Sequence, residues 1–164
     1  MKRLIVGAFL CAAAAAVPSA QMPTYGVTVT VAKDVDAAKF KTYSWTKGGP
    51  SADKALDAQI MAAVDRELSK LGLSKAASGK GDVLVTYYSL RRTDVNLKAD
   101  ADASGKRPEY AVGSLLVAML DPGTRRRLVQ LRTDKPVDLD PAKTEAIING
   151  AVAELFTKYP TRPK

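Results

Sequence analysis

The chain has 164 residues with 25 lysines and arginines, 17 aspartates and glutamates, one cysteine and no histidine, which gives a formal net charge of +8. The absence of histidine excludes Ser-His-Asp and Cys-His catalysis, histidine-ligated zinc and proton switches that use imidazole. The positive charge favours anionic neighbours such as phosphates, acidic glycans or nucleic acid, although a basic surface also serves solubility by itself.

The first 20 residues have the three-part layout of a secretory signal peptide. Lys2 and Arg3 form a positive head, and residues 4–17 follow as an apolar run without a charge. A membrane-spanning helix needs roughly 20 apolar residues, so this run is too short for a retained anchor. Small and helix-breaking residues end the run, and we expect cleavage after Ala20 or after Ser19. The sequence therefore predicts a periplasmic or secreted protein whose mature chain has no transmembrane helix.

Cys11, the only cysteine, lies inside this apolar run. A cysteine near a signal can carry the lipid of a lipoprotein, but that processing favours a small residue before the cysteine, whereas Leu10 precedes Cys11. We expect Cys11 to be removed with the signal, and a lipoprotein is the less favoured alternative. The mature domain then has no thiol for a disulfide, a nucleophile or a metal site. Loss of Lys2 and Arg3 lowers its formal charge from +8 to +6.

Two strands are predicted at the start of the mature chain. Valine and threonine alternate strictly over residues 26–32, which is typical of a strand with one buried face. A second, shorter strand is predicted over residues 40–46. Gly48, Gly49 and Pro50 follow it and end it.

Two helices are predicted from apolar stripes at helical spacing. In the first, Ser51 can act as the N-cap, Asp53 and Asp57 add negative charge to the first turns, and Gly72 follows the last turn as a C-cap. The stripe of this helix consists of Leu56, Ile60, Val64, Leu68 and Leu71. Asp140 before a proline predicts the start of the second helix. Its stripe consists of Ile148, Val152, Leu155, Phe156 and Tyr159, and Pro160 ends it.

The residues between the helices predict three more strands. Residues 83–90 form a β-run, and the polar residues 91–109 are either a long loop or the extension of a hairpin. Residues 112–120 are nearly all apolar, as in a central strand covered on both faces. A turn at residues 121–124 leads into a partner strand over residues 125–133.

The order of elements is β-β-α-β-β-β-α, which predicts an α+β domain. We expect a mostly antiparallel sheet of about five strands with the two helices on one face. The predicted domain covers residues 21–160, and residues 161–164 are expected to fray.

Several segments of the mature chain resemble the domain-of-unknown-function 4136 family of exported bacterial proteins, many of them lipoproteins. These segments are Phe40–Trp45, Leu56–Leu73, Asp82–Tyr87, Leu115–Leu131 and Ile147–Pro160. The chain departs from the family's pattern in two respects. It has no convincing equivalent of the lipid-bearing cysteine, and it lacks a tryptophan and a glycine that relatives often show near Val129. The resemblance implies an α+β envelope domain and supplies no catalytic residues, since the family has no established activity.

Seven basic residues form the candidate anion-binding patch. Three of them follow the tight turn, two end the strand at residues 83–90, and two close the polar segment. If the strands at 83–90 and 112–120 are neighbours, several of these side chains could meet near one end of the sheet. Guanidinium forks suit phosphate and carboxylate groups, whereas the alternative is a solvated edge that charge protects from aggregation. The residues are Arg91, Arg92, Lys106, Arg107, Arg125, Arg126 and Arg127.

Two other groups of side chains are weaker candidates. Asp94, Asp100 and Asp102 lack the dense spacing of a calcium loop, so solvated loop charge is favoured, and no metal or cofactor is predicted. Aromatic pairs could stack sugars or bases, but aromatics that alternate along strands usually divide between core and edge. These pairs are Tyr43 with Trp45 and Tyr87 with Tyr88.

The sequence favours a non-catalytic accessory or binding domain of the cell envelope. No residues are assigned to catalysis, and the expected partner is an envelope protein or an acidic envelope polymer, while export argues against nucleic acid. The first alternative is a binder of anionic lipid or glycan that acts through the arginines. A more distant alternative is a hydrolase that uses two carboxylates held in a cleft.

Overall fold

The computed structural model describes residues 25–49, 51 and 53–160. The predicted signal peptide at residues 1–20 and the predicted frayed tail at 161–164 lie outside these residues. The described strands are β1 (Gly26–Val31), β2 (Thr42–Trp45), β3 (Ser74–Lys75), β4 (Val83–Val95), β5 (Glu109–Leu120) and β6 (Arg127–Pro136). The α-helices are α1 (Lys54–Lys70) and α2 (Thr144–Thr157), with 3-10 turns at Ala37–Lys39 and Pro141–Lys143.

The strands form one mixed sheet in the order β1-β6-β5-β4-β2-β3. The pairs β1–β6, β6–β5 and β5–β4 are antiparallel, whereas β2 is parallel to both of its neighbours, β4 and β3. The predicted α+β class is confirmed, and the predicted sheet of about five mostly antiparallel strands is roughly right. The prediction lacked β3, because a strand of two residues has no alternation to read.

Leu73 and Gly72 explain why β3 lies beside β2. Gly72 has a φ of 83°, a left-handed conformation that glycine adopts without steric cost, and the Leu73 amide donates to the Leu68 carbonyl at 3.0 Å. The chain therefore turns back at the end of α1, and the Ser74 amide donates to the Lys41 carbonyl at 2.8 Å. The predicted glycine C-cap is confirmed.

The N-terminus of α1 differs from the prediction. Asp53 is the N-cap, with its Oδ1 accepting from the amides of Ala55 at 2.8 Å and Leu56 at 3.3 Å. Ser51 instead accepts from the Asp53 amide at 3.2 Å through its hydroxyl oxygen. The prediction of Ser51 as the cap is wrong because Asp53, two residues later, reaches the first free amides of the helix itself.

The polar segment at residues 91–109 extends the β4–β5 hairpin. Pairing continues to Val95 opposite Glu109, and the Asn96 amide donates to the Pro108 carbonyl at 2.8 Å. Of the two alternatives that the sequence left open, hairpin extension is therefore correct, and the remaining loop covers residues 96–108. The partner strand β6 begins at Arg127 and ends at Pro136, later at both ends than predicted.

The core lies between the two helices and one face of the sheet. Both predicted stripes are largely buried there, with Val64, Leu68, Val152, Leu155 and Phe156 inaccessible to solvent. They pack with strand residues that alternate along β4, β5 and β6 and therefore share one sheet face. These residues are Val83, Val85, Tyr87, Leu115, Val117, Met119, Val129 and Leu131.

The opposite face of the sheet is only partly covered. On β5, Val112 and Ala118 are buried on this face, but Leu116 and Leu120 are half-buried. On β4, Tyr88 is exposed. The prediction that β5 is covered on both faces is therefore correct for the helix face and only in part for the other.

Candidate functional site

The β5–β6 turn, residues 121–126, contains Arg125 and Arg126, and Arg127 follows directly as the first residue of β6. The Asp121 carboxylate builds this turn, since its Oδ1 accepts from the amides of Thr124 at 2.7 Å and Gly123 at 3.0 Å. These bonds, with that of Thr124 first, hold the pKa of Asp121 below its usual value. Arg125 closes the turn with a φ of 62°.

The three arginine side chains diverge from this turn. Arg126 forms a two-pronged ion pair with Asp34, with N–O distances of 2.9 and 2.7 Å. Arg125 donates to Thr46 Oγ1 at 2.6 Å, and Arg127 donates to the side chain of Gln130. Asp34 therefore offsets the charge of Arg126, while neither Arg125 nor Arg127 pairs with a carboxylate of the described residues.

The seven basic residues do not form one patch. Arg92 pairs with Val112, eight residues before the end of β5 at Leu120, which separates it from the arginine turn by about 25 Å along the strands. Lys106 and Arg107 lie in the loop at the far end of the hairpin. The expectation that several of these groups meet at one sheet end is therefore wrong for the set as a whole, because β4 runs away from the turn.

Three of the other four basic residues have local contacts, whereas Arg91 is exposed and pairs with no carboxylate of the described residues. Arg92 binds Asp94 at 2.9 Å and Asp134 at 3.3 Å on the open face of the sheet. Lys106 pairs with Glu109 at 3.6 Å, and Arg107 donates to backbone carbonyls of its own loop. These contacts hold the hairpin in shape.

Of the four candidate aromatic residues, Tyr43 and Tyr87 belong to the core and Trp45 is partly buried against it. Tyr43 and Trp45 both donate to Asp65 Oδ1 on α1, at 2.7 and 2.8 Å, and the Tyr87 hydroxyl donates to Asp57 on the same helix. Burial and the Asp65 carboxylate raise the pKa of Tyr43 well above its usual value. Tyr88 alone is exposed. The prediction that these aromatics divide between core and edge is confirmed.

The acidic residues of the polar segment do not form a metal site. Asp102 Oδ1 accepts from the amides of Ser104 and Lys106, both at 2.9 Å, and so shapes the loop. Within residues 25–49, 51 and 53–160, no cluster of three metal-ligating side chains is present.

A cleft of about 510 Å³ between the two helices and the sheet was not predicted. Its walls are mostly apolar and come from α1, α2 and the connection after β6. These side chains include Leu56, Ile60, Val137, Leu139, Ile147, Ile148 and Ala151. A sequence signal did exist, since the apolar residues Val137 and Leu139 stand in the short connection between Pro136 and Pro141.

The floor of the cleft contains an unusual polar group. Thr133 is 1% exposed, and its hydroxyl has no hydrogen-bond partner among the described residues. A buried hydroxyl without a partner is costly, and this oxygen is closed off from solvent. Beside it, a Cβ at Gly113 would lie 2.9 Å from Val137 Cγ1, so glycine there lets the connection pack closely against β5.

A second cavity, of about 420 Å³, lies on the opposite face of the sheet beside the arginine turn. Arg125 and Arg127 line it together with Tyr88 and Gln130. Thr86 also lines it, and the Thr86 hydroxyl is buried without a partner in the described part of the chain. Two of the three turn arginines therefore do converge on one concave surface.

We expect Arg125→Gly to raise the free energy of unfolding by about 0.5–1 kcal/mol, because glycine adopts a positive φ without the steric cost that other residues bear. Thermal and urea midpoints of the two proteins measure the change. Arg127→Gly is the matched control, since Arg127 lies in a strand, where glycine is unfavourable. Equal losses of stability in both variants would contradict a strained Arg125.

The described residues form an α+β domain with a mixed six-stranded sheet and two helices on one face. None of the helices in the described part of the chain is long and apolar enough to cross a membrane. The chain belongs to the family described as Domain of unknown function (DUF4136), whose model matches residues 27–161. A comparison with curated proteins found no match.

Two solved structures share the fold at low sequence identity. A PDZ domain protein from Parabacteroides distasonis matches with a TM-score of 0.60 and 18% identity over 85% of this chain. This chain corresponds to 36% of that protein. The PelC dodecamer from Paraburkholderia phytofirmans matches with a TM-score of 0.55 and 7% identity, covering 85% of this chain and 100% of that one.

Proposed function

We propose that this chain is a non-catalytic binding domain of the bacterial cell envelope, and that the cleft between its helices holds the partner. The cleft carries this proposal because it is large and mostly apolar, and because Thr133 in its lining has a buried hydroxyl without a hydrogen-bond partner among the described residues. Concave apolar surfaces with a few polar groups are the usual form of a binding site. The length of the Parabacteroides protein supports an accessory role, since a domain of this fold there accounts for 36% of a larger chain.

The chemistry of the cleft favours binding over catalysis. The chain has no histidine, and Asp53 and Asp138 are the carboxylates that line the cleft. Asp53 accepts the first amides of α1, and Asp138 pairs with Lys143 at 2.6 Å. Each carboxylate is thus engaged in a structural contact, whereas a pair of catalytic carboxylates must be free to act on a substrate.

The N-terminal sequence supports placement in the envelope. We expect the protein recovered from the periplasm to begin at Gln21 or Ala20 and to carry no lipid, and intact-mass analysis measures both. A diacylglyceryl group on Cys11, or a mature chain that retains Met1, would contradict this part of the proposal.

The cleft itself is tested by filling it. Ala151→Trp places an indole in the cleft, whereas Ala58→Trp places the same group on an exposed part of α1 outside it. We expect wild type and Ala58→Trp to capture the same protein or polymer from envelope extract, and Ala151→Trp to lose it. Capture that all three proteins share equally would show that the cleft is not the binding site.

A second candidate function is the binding of an anionic lipid or glycan at the cavity beside the arginine turn. The observation in its favour is that Arg125 and Arg127 line this cavity without carboxylate partners among the described residues. Replacing both by serine should weaken retention on heparin or acidic liposomes, most strongly at low salt. Arg126→Ser is the matched control, because Asp34 already offsets that charge. If wild type, the double variant and Arg126→Ser are retained equally, these arginines serve solubility and do not bind the ligand.

A further inference from the structure

The β4 strand has an edge without a partner next to the cleft. Its first residues pair with β2 as far as Val85, and Gly49 forms a single further bridge to Tyr88. From Ser89 to Val95, β4 has β5 on one side and no strand of the described residues on the other. Such an edge offers a row of backbone donors and acceptors to any chain that can pair with it.

The alternation of backbone groups shows which residues offer these bonds. The carbonyls of Val85 and Tyr87 point toward β2, since they accept from Thr46 at 2.9 Å and Gly49 at 3.2 Å. Odd-numbered residues of β4 therefore point their backbone groups outward, and even-numbered residues point theirs toward β5. Beyond Tyr87, the Gly49 bridge engages the Ser89 amide, so the free outward groups are the Ser89 carbonyl and the amides and carbonyls of Arg91 and Thr93.

The same odd-numbered residues have their side chains on the helix face, where Ser89 and Arg91 line the cleft. A strand added to this edge would therefore place alternate side chains beneath the N-terminal half of α1. Leu56 and Ile60 form the apolar wall at that position. Leu90, also in the lining, is 63% exposed and can cover the added strand from the other side.

The charges around the cleft indicate the chemistry of that strand. Lys135 pairs with Glu154, and Asp138 pairs with Lys143. Asp53 is occupied by the first amides of α1. Arg91 is exposed and pairs with no carboxylate of the described residues, so the mouth of the cleft has an uncompensated positive charge.

On the basis of the proposed binding function, we infer that the ligand is an extended peptide segment of a partner protein, which adds as a strand to the β4 edge. Backbone hydrogen bonds to Ser89, Arg91 and Thr93 hold it, apolar side chains enter the cleft, and an acidic side chain meets Arg91. This is recognition by β-strand addition, in which main-chain bonds give affinity and alternate pockets give specificity. A second copy is a poorer occupant, since pairing two β4 edges around Arg91 brings two arginines without carboxylate partners together.

The binding test uses a phage-displayed library of random ten-residue peptides, panned on the mature protein. We expect the selected peptides to alternate apolar and acidic residues. Thr93→Pro removes an outward amide without breaking a bond to β5, and edge strands tolerate proline, so this variant should fold and lose at least about tenfold in affinity. Thr93→Ala keeps the amide and should bind like wild type. No enrichment, or equal affinity for all three proteins, would overturn the inference.

Hydrogen exchange in the wild-type protein tests the same edge without a variant. The amides of Arg91 and Thr93 should exchange fast in the free protein and become protected when a selected peptide binds, while those of Leu90 and Arg92 are protected throughout by β5. Unchanged exchange at Arg91 and Thr93 would overturn strand addition.

The outcomes also separate this inference from the function on which it rests. If Ala151→Trp abolishes binding and Thr93→Pro does not affect it, the cleft is the binding site and strand addition to the β4 edge is refuted. Binding that neither variant affects would refute both. A dimer that Thr93→Pro converts to a monomer in sedimentation would assign the edge to a second copy and refute the peptide.

Discussion

Leu68→Ala is expected to lower the free energy of unfolding by about 2–5 kcal/mol, as buried leucine truncations do. Leu68 lies in the α1 stripe, two residues before the end of the helix, and is 0% exposed. The Leu68 carbonyl also accepts the Leu73 amide that turns the chain back toward β3, so the side chain sits where the helix, its C-cap and the sheet meet. Urea denaturation at pH 7 measures the change in unfolding free energy.

The matched control is Leu97→Ala in the loop between β4 and β5. Leu97 is 54% exposed, so the same truncation there should cost within about 0.5 kcal/mol. Similar shifts of the urea midpoint in both variants would contradict the packing of α1 on the sheet.

Asp134→Asn is expected to cost about 2 kcal/mol at pH 7, and this cost should disappear in acid. The Asp134 carboxylate accepts from Arg132 Nε at 2.7 Å and from Arg92 Nη1 at 3.3 Å, and it also accepts from the Ser114 hydroxyl. These bonds, with that of Arg132 first, lower the pKa of Asp134 from 3.8 to about 2. The folded state therefore favours the ionised carboxylate more strongly than the unfolded state does.

The sign of this pH dependence follows from the lowered pKa. The stabilisation is fully present above the unfolded pKa of 3.8 and is lost as the pH falls toward the folded pKa of about 2. Urea denaturation of both proteins between pH 7 and pH 2 should show the difference in unfolding free energy shrinking over that window. Asp34→Asn, at the exposed ion pair with Arg126, should leave the urea midpoint nearly unchanged. A difference for Asp134→Asn that stays constant down to pH 2 would contradict the network.

The two candidate binding surfaces lie on opposite faces of the sheet and respond differently to salt. Binding at the cavity lined by Arg125 and Arg127 depends on charge and should weaken steeply as salt rises. Binding in the cleft depends mainly on apolar contact and backbone hydrogen bonds, with Arg91 as its one uncompensated charge, and should weaken only slightly. A salt series on any captured partner therefore assigns it to one surface before a variant is made.

The sequence alone determined the elements that short-range patterns encode. The valine–threonine alternation marked β1, the four-residue spacing through Leu68 marked α1, and Gly72 marked its end. These signals are reliable here because each depends on neighbours within a few residues, where propensity and periodicity act together. The aromatic residues of β2 and β4 were correctly divided between core and edge for the same reason.

Only the tertiary structure decided which distant side chains meet. The run of three arginines gave no sign that Asp34, 92 residues away, would engage only Arg126, or that Arg91 and Arg92 would lie far from the turn. The cleft and the free β4 edge exist because α1, α2 and β2 cover one part of the sheet and leave Ser89–Val95 paired on one side only, with β5. Strand register and helix placement are set by packing between residues that are far apart in the sequence. A site formed by such residues leaves no short-range pattern from which it could be predicted.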